Sequence, residues 1–129
     1  MPRSPSSVPT EVELAILDVL WKHGPSTVRQ IHDALKGERG TGYSTTLKMV
    51  QVMTEKGLLR KDESQRPQIY TPAQRQEQTQ LQLVDDLIQK GFGGSAMRLV
   101  LRAASAKRIS TEELTEIRRL LHEAKGGKR

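Results

Sequence analysis

Polar side chains that can donate hydrogen bonds recur at helical spacing between residues 44 and 51. At about 100° of rotation per residue, Ser44, Lys48 and Gln51 fall on one side of a helix, with Thr45 in its first turn. Hydroxyls and free N–H groups at a helix N-terminus suit phosphate oxygens, whereas lysine and glutamine side chains reach base edges in a major groove. A solvated polar face would show the same pattern, and this helix alone does not separate the two interpretations.

The opposite side of the same helix is predicted to be buried. Thr46, Met49, Val50 and Met53 fall within one narrow sector, which should face the preceding helices. Two apolar residues outside that sector are predicted to be exposed, where they could meet a thymine methyl group: Val52 and Leu47.

The residues after this helix favour the nucleic-acid interpretation. Gly57 ends the helical pattern, and two short apolar segments, Leu58–Arg60 and Gln68–Tyr70, flank a charged turn. Pro67 cannot donate to a strand ladder, so the second strand should begin late or lie at an edge. A helix followed by a hairpin is the order of a winged-helix DNA-binding domain, in which the helix fills a major groove and the hairpin lies along the flanking backbone.

The predicted hairpin carries both signs of charge. Arg60, Lys61 and Arg66 are placed to contact phosphates, while Asp62 and Glu63 beside them weaken the local positive field. We therefore predict a wing that contacts the DNA backbone without a strongly basic tip.

Two helices are predicted before this unit. Thr10 with Glu13, and Thr27 with Gln30, have the spacing of capping boxes that start helices. We expect Thr27 and Arg29, at the start of the second helix, to join the DNA contacts. The predicted core positions are Leu14, Leu17, Leu20 and Trp21 in the first helix, and Val28, Ile31, Ala34 and Leu35 in the second.

Three amphipathic helices are predicted after Thr71-Pro72, a pair typical of a helix cap followed by proline in the first turn. They cover residues 73–90, then 96–106 after a Ser95 cap, then a segment opened by a capping box of Ser110 and Glu113. Helices of this size bury too little surface alone, so we predict a dimerisation module; the alternative is packing onto the first domain within one chain. The predicted dimerisation residues are Leu81, Val84, Ile88, Met97, Val100, Leu101, Leu114, Ile117 and Leu121.

The predicted domain organisation has four parts. Residues 1–9 form a flexible Pro/Ser-rich tail, 10–72 a winged-helix DNA-binding domain, 73–124 a helical dimerisation domain and 125–129 a disordered tail. The predicted fold class is therefore mainly α with a small β-hairpin wing.

Composition limits the possible classes of function. The net charge of +6 and the pI near 9.9 favour a polyanionic partner. Residues 1–72 hold ten Lys/Arg and eight Asp/Glu, a net of only +2, and residues 73–129 hold eleven and seven, a net of +4. No segment has the length and hydropathy of a membrane span, so we expect a cytoplasmic protein without membrane insertion.

Residues that could support catalysis are sparse. His23, His32 and His122 are far apart and form no i,i+4 pair for a metal, and the chain has no cysteine. The adjacent pairs Asp85-Asp86 and Glu112-Glu113 point to different helix faces, so solvated charge explains them better than an acid/base dyad. We predict no enzyme activity and no cofactor, and keep a small hydrolase as the weakest alternative.

An ordered set of motifs over nearly the whole chain resembles the penicillinase-repressor family, which includes the methicillin-resistance repressors. In the first half these are Pro9–Leu14, Val19–Trp21, Gly24-Pro25, Thr27–Arg29, Tyr43–Thr46, Glu55–Leu59 and Tyr70–Pro72. In the second half they are Phe92–Ser95, Leu99-Val100 and Ile109–Leu114.

The resemblance implies a homodimeric repressor with an N-terminal winged helix and a C-terminal helical dimer arm, bound to a palindromic operator in double-stranded DNA. Several members of the family are relieved when a membrane-bound sensor protease triggers cleavage at an Asn-Phe pair, where this chain has Arg102-Ala103. A related branch senses copper through C-terminal cysteines, which this chain lacks. Val52 replaces a basic residue common in the recognition helix, so the operator is expected to differ.

We therefore predict a sequence-specific transcriptional repressor, with the β-lactam-resistance type suggested by the resemblance. The alternative from another class is a winged-helix adaptor that binds proteins, which the near-neutral first domain favours. Steep weakening of DNA binding by salt would separate the repressor from the adaptor.

Overall fold

The computed structural model describes residues 8–39 and 42–126, without the side chains of residues 36–39. Residues 1–7 and 127–129, most of the two predicted tails, lie outside the described part. The elements are α1 (Glu11–His23), α2 (Val28–Arg39), α3 (Tyr43–Glu55), β1 (Leu59–Asp62), β2 (Ile69–Pro72), α4 (Gln76–Gly91), α5 (Ala96–Ser105) and α6 (Thr111–Gly126). This confirms the predicted fold class, mainly α with one small antiparallel hairpin.

Capping boxes start the first two helices, as predicted. The backbone N–H of Thr10 donates to Glu13 Oε1 at 2.9 Å, and the Glu13 N–H donates to Thr10 Oγ1 at 3.2 Å. Thr27 and Gln30 make the same exchange at 2.9 and 3.1 Å. Each box satisfies N–H groups that the helix itself leaves unpaired, which fixes where the helix begins.

The core of the first unit forms where α1, α2 and α3 pack together and against the hairpin. Its buried apolar side chains are Ile16, Leu17, Leu20, Val28, Ile31, Leu35, Val50, Met53, Leu59 and Tyr70. Most of the predicted core positions in α1 and α2 are confirmed by this set.

Three residues that were predicted to lie in the core are not fully buried, and one deeply buried residue was not predicted. Leu14 and Trp21 are only half-buried at the edge of the core, and Ala34 is exposed. Ile16, which the prediction omitted, is one of the most deeply buried side chains. The buried face of α1 consists of Glu13, Ile16, Leu17 and Leu20, and the polar Glu13 on this face is paired with Lys56.

The buried face of α3 matches the prediction. Thr46, Val50 and Met53 are buried and Met49 is half-buried. The prediction that Leu47 is exposed is wrong, because this residue is half-buried against the core. It follows that only Val52 remains as an exposed apolar group in the middle of this helix.

The hairpin is anchored to the rest of the first unit by β2. Strands β1 and β2 pair antiparallel, with Leu59 opposite Pro72 and Asp62 opposite Ile69. On its other side, Tyr70 exchanges two backbone hydrogen bonds with Ser26, at 2.8 and 3.1 Å. β2 therefore lies between β1 and the α1–α2 connection.

Pro67 precedes β2 by two residues, as its missing N–H requires. The prediction that Thr71-Pro72 opens a helix is wrong: both residues belong to β2, and α4 begins only at Gln76. Strand pairing with Leu59 and Arg60 overrides the local capping signal.

The chain divides into two compact units between Leu83 and Val84, inside α4. The predicted boundary at residues 72 and 73 lies earlier, at the end of β2. In the second unit, Ser95 caps α5 through a 3.1 Å bond from the Arg98 N–H, and Ser110 and Glu113 form the predicted capping box at 2.9 and 3.0 Å.

The second unit has little interior of its own. Among the described residues after Leu83, only Ile88 is buried, and neither α5 nor α6 contains a buried residue. The exposed large apolar side chains of this unit are Val84, Leu87, Met97, Val100, Leu101, Leu120 and Leu121. In the described part of the chain, no helix is long and apolar enough to cross a membrane.

Candidate nucleic-acid interface

The outward face of α3 carries the side chains singled out from the sequence. Ser44, Thr45, Lys48, Gln51 and Val52 are all exposed, and Val52 retains 38% of its accessible surface. The opposite side of the helix is held by the core, so this face points away from the protein. One rigid helix therefore presents two hydroxyls, an ammonium, an amide and a branched apolar group.

The first turn of α3 has backbone N–H groups without a side-chain acceptor. Gly42 is the N-cap residue, and because glycine has no side chain, no side-chain cap accepts the first N–H groups of the helix. Lys48, one turn further on, has no ion-pair or hydrogen-bond partner among the described residues. Free N–H groups and an unpaired cation together favour an anionic ligand such as phosphate.

Side chains of α2 contact the start of α3. The Arg29 guanidinium lies 4.4 Å from the centre of the Tyr43 ring, and His32 meets the same ring edge-on, with 5.7 Å between ring centres. His32 Nδ1 is also 3.2 Å from Thr46 Oγ1. Arg29 was a predicted DNA contact, whereas no role was predicted from the sequence for the side chains of Tyr43 and His32.

A partly buried ion pair fixes the other end of α3 to α1. Lys56, just after the helix, places Nζ 2.6 Å from Glu13 Oε2, while Oε1 of the same carboxylate accepts the Thr10 N–H. Only 6% of the Glu13 side chain is exposed, against 47% of Lys56. Burial by itself raises the pKa of the Glu13 carboxyl, but the hydrogen bond and charge of Lys56, with the bonds from Thr10, outweigh it and hold the pKa below its ordinary value.

The segment after the hairpin is also tied down. Trp21 Nε1 donates to the backbone carbonyl of Gln74 at 3.2 Å, while its ring packs at the edge of the core. The single tryptophan therefore combines packing at the edge of the core with one hydrogen bond to a backbone carbonyl. The pair connects α1 to the chain that leaves β2.

At the wing, the three predicted cations are not equivalent. All three are exposed, but Lys61 Nζ lies 3.0 Å from a carboxylate oxygen of Glu63. The hydrogen bond and the charge of Glu63 raise the pKa of Lys61. Arg60 and Arg66 have no such partner among the described residues, so they are the cations that remain available at the wing.

Asp62 has a structural role in the same turn. Its carboxylate accepts bonds from the Ser64 hydroxyl at 2.6 Å, the Ser64 N–H at 3.0 Å and the Gln65 amide at 3.1 Å. These hydrogen bonds hold the pKa of Asp62 below its ordinary value. The negative charge that the sequence places near the wing is therefore partly used to close the turn.

The remaining predicted site residues lie as follows. Thr27 is half-buried and caps α2, with its Oγ1 accepting the Gln30 N–H. Of the predicted dimerisation residues, Ile88 is buried and two are half-buried, Leu114 and Ile117. The others are exposed: Leu81, Val84, Met97, Val100, Leu101 and Leu121. Within the described residues, no group of three or more His, Asp or Glu side chains is arranged to hold a metal ion.

Comparison with known proteins identifies the family of the chain. The model of the penicillinase repressor family matches residues 9–123, from the residue before the α1 cap to within α6. Two relatives from Mycobacterium tuberculosis, strains CDC 1551 / Oshkosh and ATCC 25618 / H37Rv, both carry the name transcriptional regulator BlaI. Each is 31% identical to this chain over 119 residues, covering 91% of this chain and 85% of the relative. The chain therefore belongs to the penicillinase repressor family.

Proposed function

We propose that this protein is a transcriptional repressor that binds a palindromic operator in double-stranded DNA as a homodimer. The observation that carries the proposal is the outward face of α3, where unpaired Lys48 lies one turn from an uncapped helix N-terminus. Membership of the penicillinase repressor family and the name of the mycobacterial relatives support the same function.

The proposal gives each element a role on DNA. Ser44, Thr45 and the free N–H groups of α3 contact phosphates, and Lys48 and Gln51 reach base edges in the major groove. Val52 offers an apolar contact for a thymine methyl group. Around this helix, the residues proposed to contact the flanking backbone are Thr27 from α2, and Arg60, Arg66 and, more weakly, Lys61 from the wing. Arg29, which the sequence predicted as a DNA contact, lies over the Tyr43 ring and acts through it.

Two copies of this surface are needed for tight binding. Residues 1–72 carry a net charge of only +2, too little for one domain to draw most of its affinity from phosphate attraction. The exposed apolar side chains of α4 to α6 lack a core to cover them, and burial against a second copy would remove them from water. A dimer then presents two α3 helices to two half-sites.

The finer assignment to β-lactam resistance rests on the family. A membrane sensor protease is the partner that the family suggests for relief of repression. Arg102-Ala103 lies inside α5 where the family's cleaved members have Asn-Phe, so cleavage here would need a protease of different specificity.

The alternative function is a winged-helix adaptor that binds proteins, which the low charge of the first domain favours. Neither function is enzymatic, and both would act in the cytoplasm. They differ in the partner of α3, which a DNA-binding assay identifies directly.

The test is a salt titration of binding to the DNA upstream of the protein's own gene, against unrelated DNA of equal length. For a repressor, binding should be specific, and the logarithm of the binding constant should fall with the logarithm of salt concentration at about −0.9 per phosphate contact. Absence of a shifted complex at low salt would contradict the repressor and favour the adaptor.

A further inference from the structure

We propose that Tyr43 is a positioning residue for DNA recognition: in contact with Arg29 and His32 of α2, it fixes the first turn of α3 so that Ser44 and Thr45 meet the DNA backbone in register. This inference rests on the proposed function, because it concerns how the same helix is presented. Tyr43 itself acts through the helix that it starts.

The contact with Arg29 is a cation–π pair at the surface. The guanidinium carbon lies 4.4 Å from the ring centre, within the distance at which such pairs attract. Tyr43 remains 37% exposed and Arg29 is exposed, so burial alone does not hold the ring in place. The stacking partner supplies the restraint that the core does not.

The contact with His32 connects the surface pair to the interior. His32 meets the Tyr43 ring at an interplanar angle of 81°, the edge-to-face arrangement that aromatic quadrupoles favour. Its Nδ1 lies 3.2 Å from the hydroxyl of buried Thr46, which also lies 3.4 Å from the Gly42 carbonyl. A hydroxyl can donate or accept, so either tautomer of His32 can pair with Thr46.

Together the four side chains form two interlocking pairs. Arg29 and His32 are three residues apart on α2, and Tyr43 and Thr46 are three residues apart on α3, so each pair lies along one helix face. The tyrosine ring contacts both side chains of α2, and the threonine hydroxyl lies within hydrogen-bond distance of His32.

The position of this cluster explains why it should affect binding. The N-cap of α3 is Gly42, which provides no side-chain cap, so the first turn lacks the usual local restraint. The cluster supplies that restraint from α2. If the first turn is already ordered in the free protein, it loses less conformational entropy when Ser44 and Thr45 contact phosphates. Binding is then stronger without any additional contact.

The experiment uses the full chain with four variants: Tyr43→Leu, Tyr43→Phe, Arg29→Gln and the double variant Arg29→Gln/Tyr43→Leu. Phenylalanine keeps the ring that Arg29 and His32 contact, whereas leucine removes it. Affinities for operator and for unrelated DNA are measured for each, and thermal unfolding confirms that the proteins compared are folded at the assay temperature.

We expect Tyr43→Leu to weaken binding to operator and to unrelated DNA alike, each about tenfold, because Ser44 and Thr45 contact phosphates, which carry no sequence information. Tyr43→Phe should stay within about threefold of the wild type on both. Arg29→Gln should weaken operator binding about fivefold alone but less than about twofold when added to Tyr43→Leu, because Arg29 would act through the ring. Equal losses from Arg29→Gln in both backgrounds, with a salt slope smaller by about one, would show a direct phosphate contact and overturn the inference.

Amide hydrogen exchange in the absence of DNA separates failure of this inference from failure of the proposed function. Tyr43→Leu and Arg29→Gln should speed exchange of the Thr46 N–H, which bonds to the Gly42 carbonyl at 3.2 Å, and Tyr43→Phe should not. Unchanged exchange in all variants overturns the positioning role. Wild-type protein that binds no operator overturns the proposed function, whatever the exchange shows.

Discussion

Glu13 and Lys56 show how single residues hold α3 in place. Glu13 is nearly buried, yet it is charged because Lys56 and Thr10 satisfy its two oxygens. A buried carboxylate without such partners would be costly, so the pair ties the start of α1 to the end of α3. The capping half of this arrangement is visible in the sequence as Thr10 and Glu13 three residues apart. The partner 43 residues away is not, because only the fold brings Lys56 there.

Lys56→Met tests this ion pair. The variant keeps most of the aliphatic stem but leaves Glu13 Oε2 without its donor, and we expect the free energy of unfolding to fall by about 1–2 kcal/mol at pH 7, a value reduced for the exposure of Lys56. The measurement is chemical denaturation. Lys22→Met, at an exposed lysine of α1 without an ion pair among the described residues, is the matched control and should change little.

The same pair has a defined dependence on pH. Because the pKa of Glu13 is lowered in the folded protein, its stabilising contribution is present above its ordinary pKa of 4.5 and is lost as pH falls through the lower folded value. The stability curves of wild type and Lys56→Met should therefore converge as pH falls below about 4.5. A constant gap between the curves from pH 7 to pH 3 would contradict this.

Lys48→Ala tests the proposed base contact. Loss of a base contact should weaken operator binding by about 1–3 kcal/mol and relax preference at one base pair. Fluorescence anisotropy with operators mutated at single positions measures both effects. Unchanged affinity for every operator would remove Lys48 from the contacts.

At the scale of elements, the sequence predicts local features better than long-range ones. The capping boxes and the face of α3 were predictable because they depend on residues within one or two turns. Thr71-Pro72 also has a local helix-capping signal, but pairing with β1 makes it a strand. The contact of Tyr43 with α2 is also long-range. Arg29 and His32 lie three residues apart and therefore share a face of α2, but the sequence does not show which residue of another helix this face contacts.

Glu63→Gln tests how the wing is charged. Glu63 pairs with Lys61 at 3.0 Å, so its neutralisation should release the ammonium and remove a negative charge near the DNA. We expect binding to all DNA sequences to strengthen about two- to fivefold, with a steeper dependence on salt. Glu77→Gln, at an exposed glutamate in α4, is the control for the change in net charge. Equal gains in both variants would show that the wing is remote from DNA.

At the scale of the whole molecule, the two units differ in how far their apolar side chains are buried. The first has a core and an exposed polar face on α3. The second exposes apolar side chains on all three of its helices, and its described residues bury only Ile88. The sequence predicted this difference from amphipathic spacing alone, but it could not give the partner, because a helix face has the same pattern whether it packs within a chain or against a second copy.

Leu121→Glu tests whether the second unit packs against a second copy of the chain. Leu121 is exposed on α6, and a charge there should disfavour an apolar interface, raising the dimer dissociation constant at least about tenfold. Analytical ultracentrifugation measures this constant. The neighbouring His122 lies on a different helix face. His122→Glu is therefore the control and should have a much smaller effect. A wild-type protein that sediments as a monomer at every concentration would contradict the dimer.

Hydroxyl-radical footprinting of the wild-type protein on the DNA upstream of its own gene tests the central proposal most directly. A homodimer that presents two α3 helices predicts two protected half-sites related by a twofold axis, their centres about 10 bp or a multiple of that apart. Protection of both half-sites should appear together as protein concentration rises. Uniform protection without half-sites, or no protected site at low salt, would contradict the account.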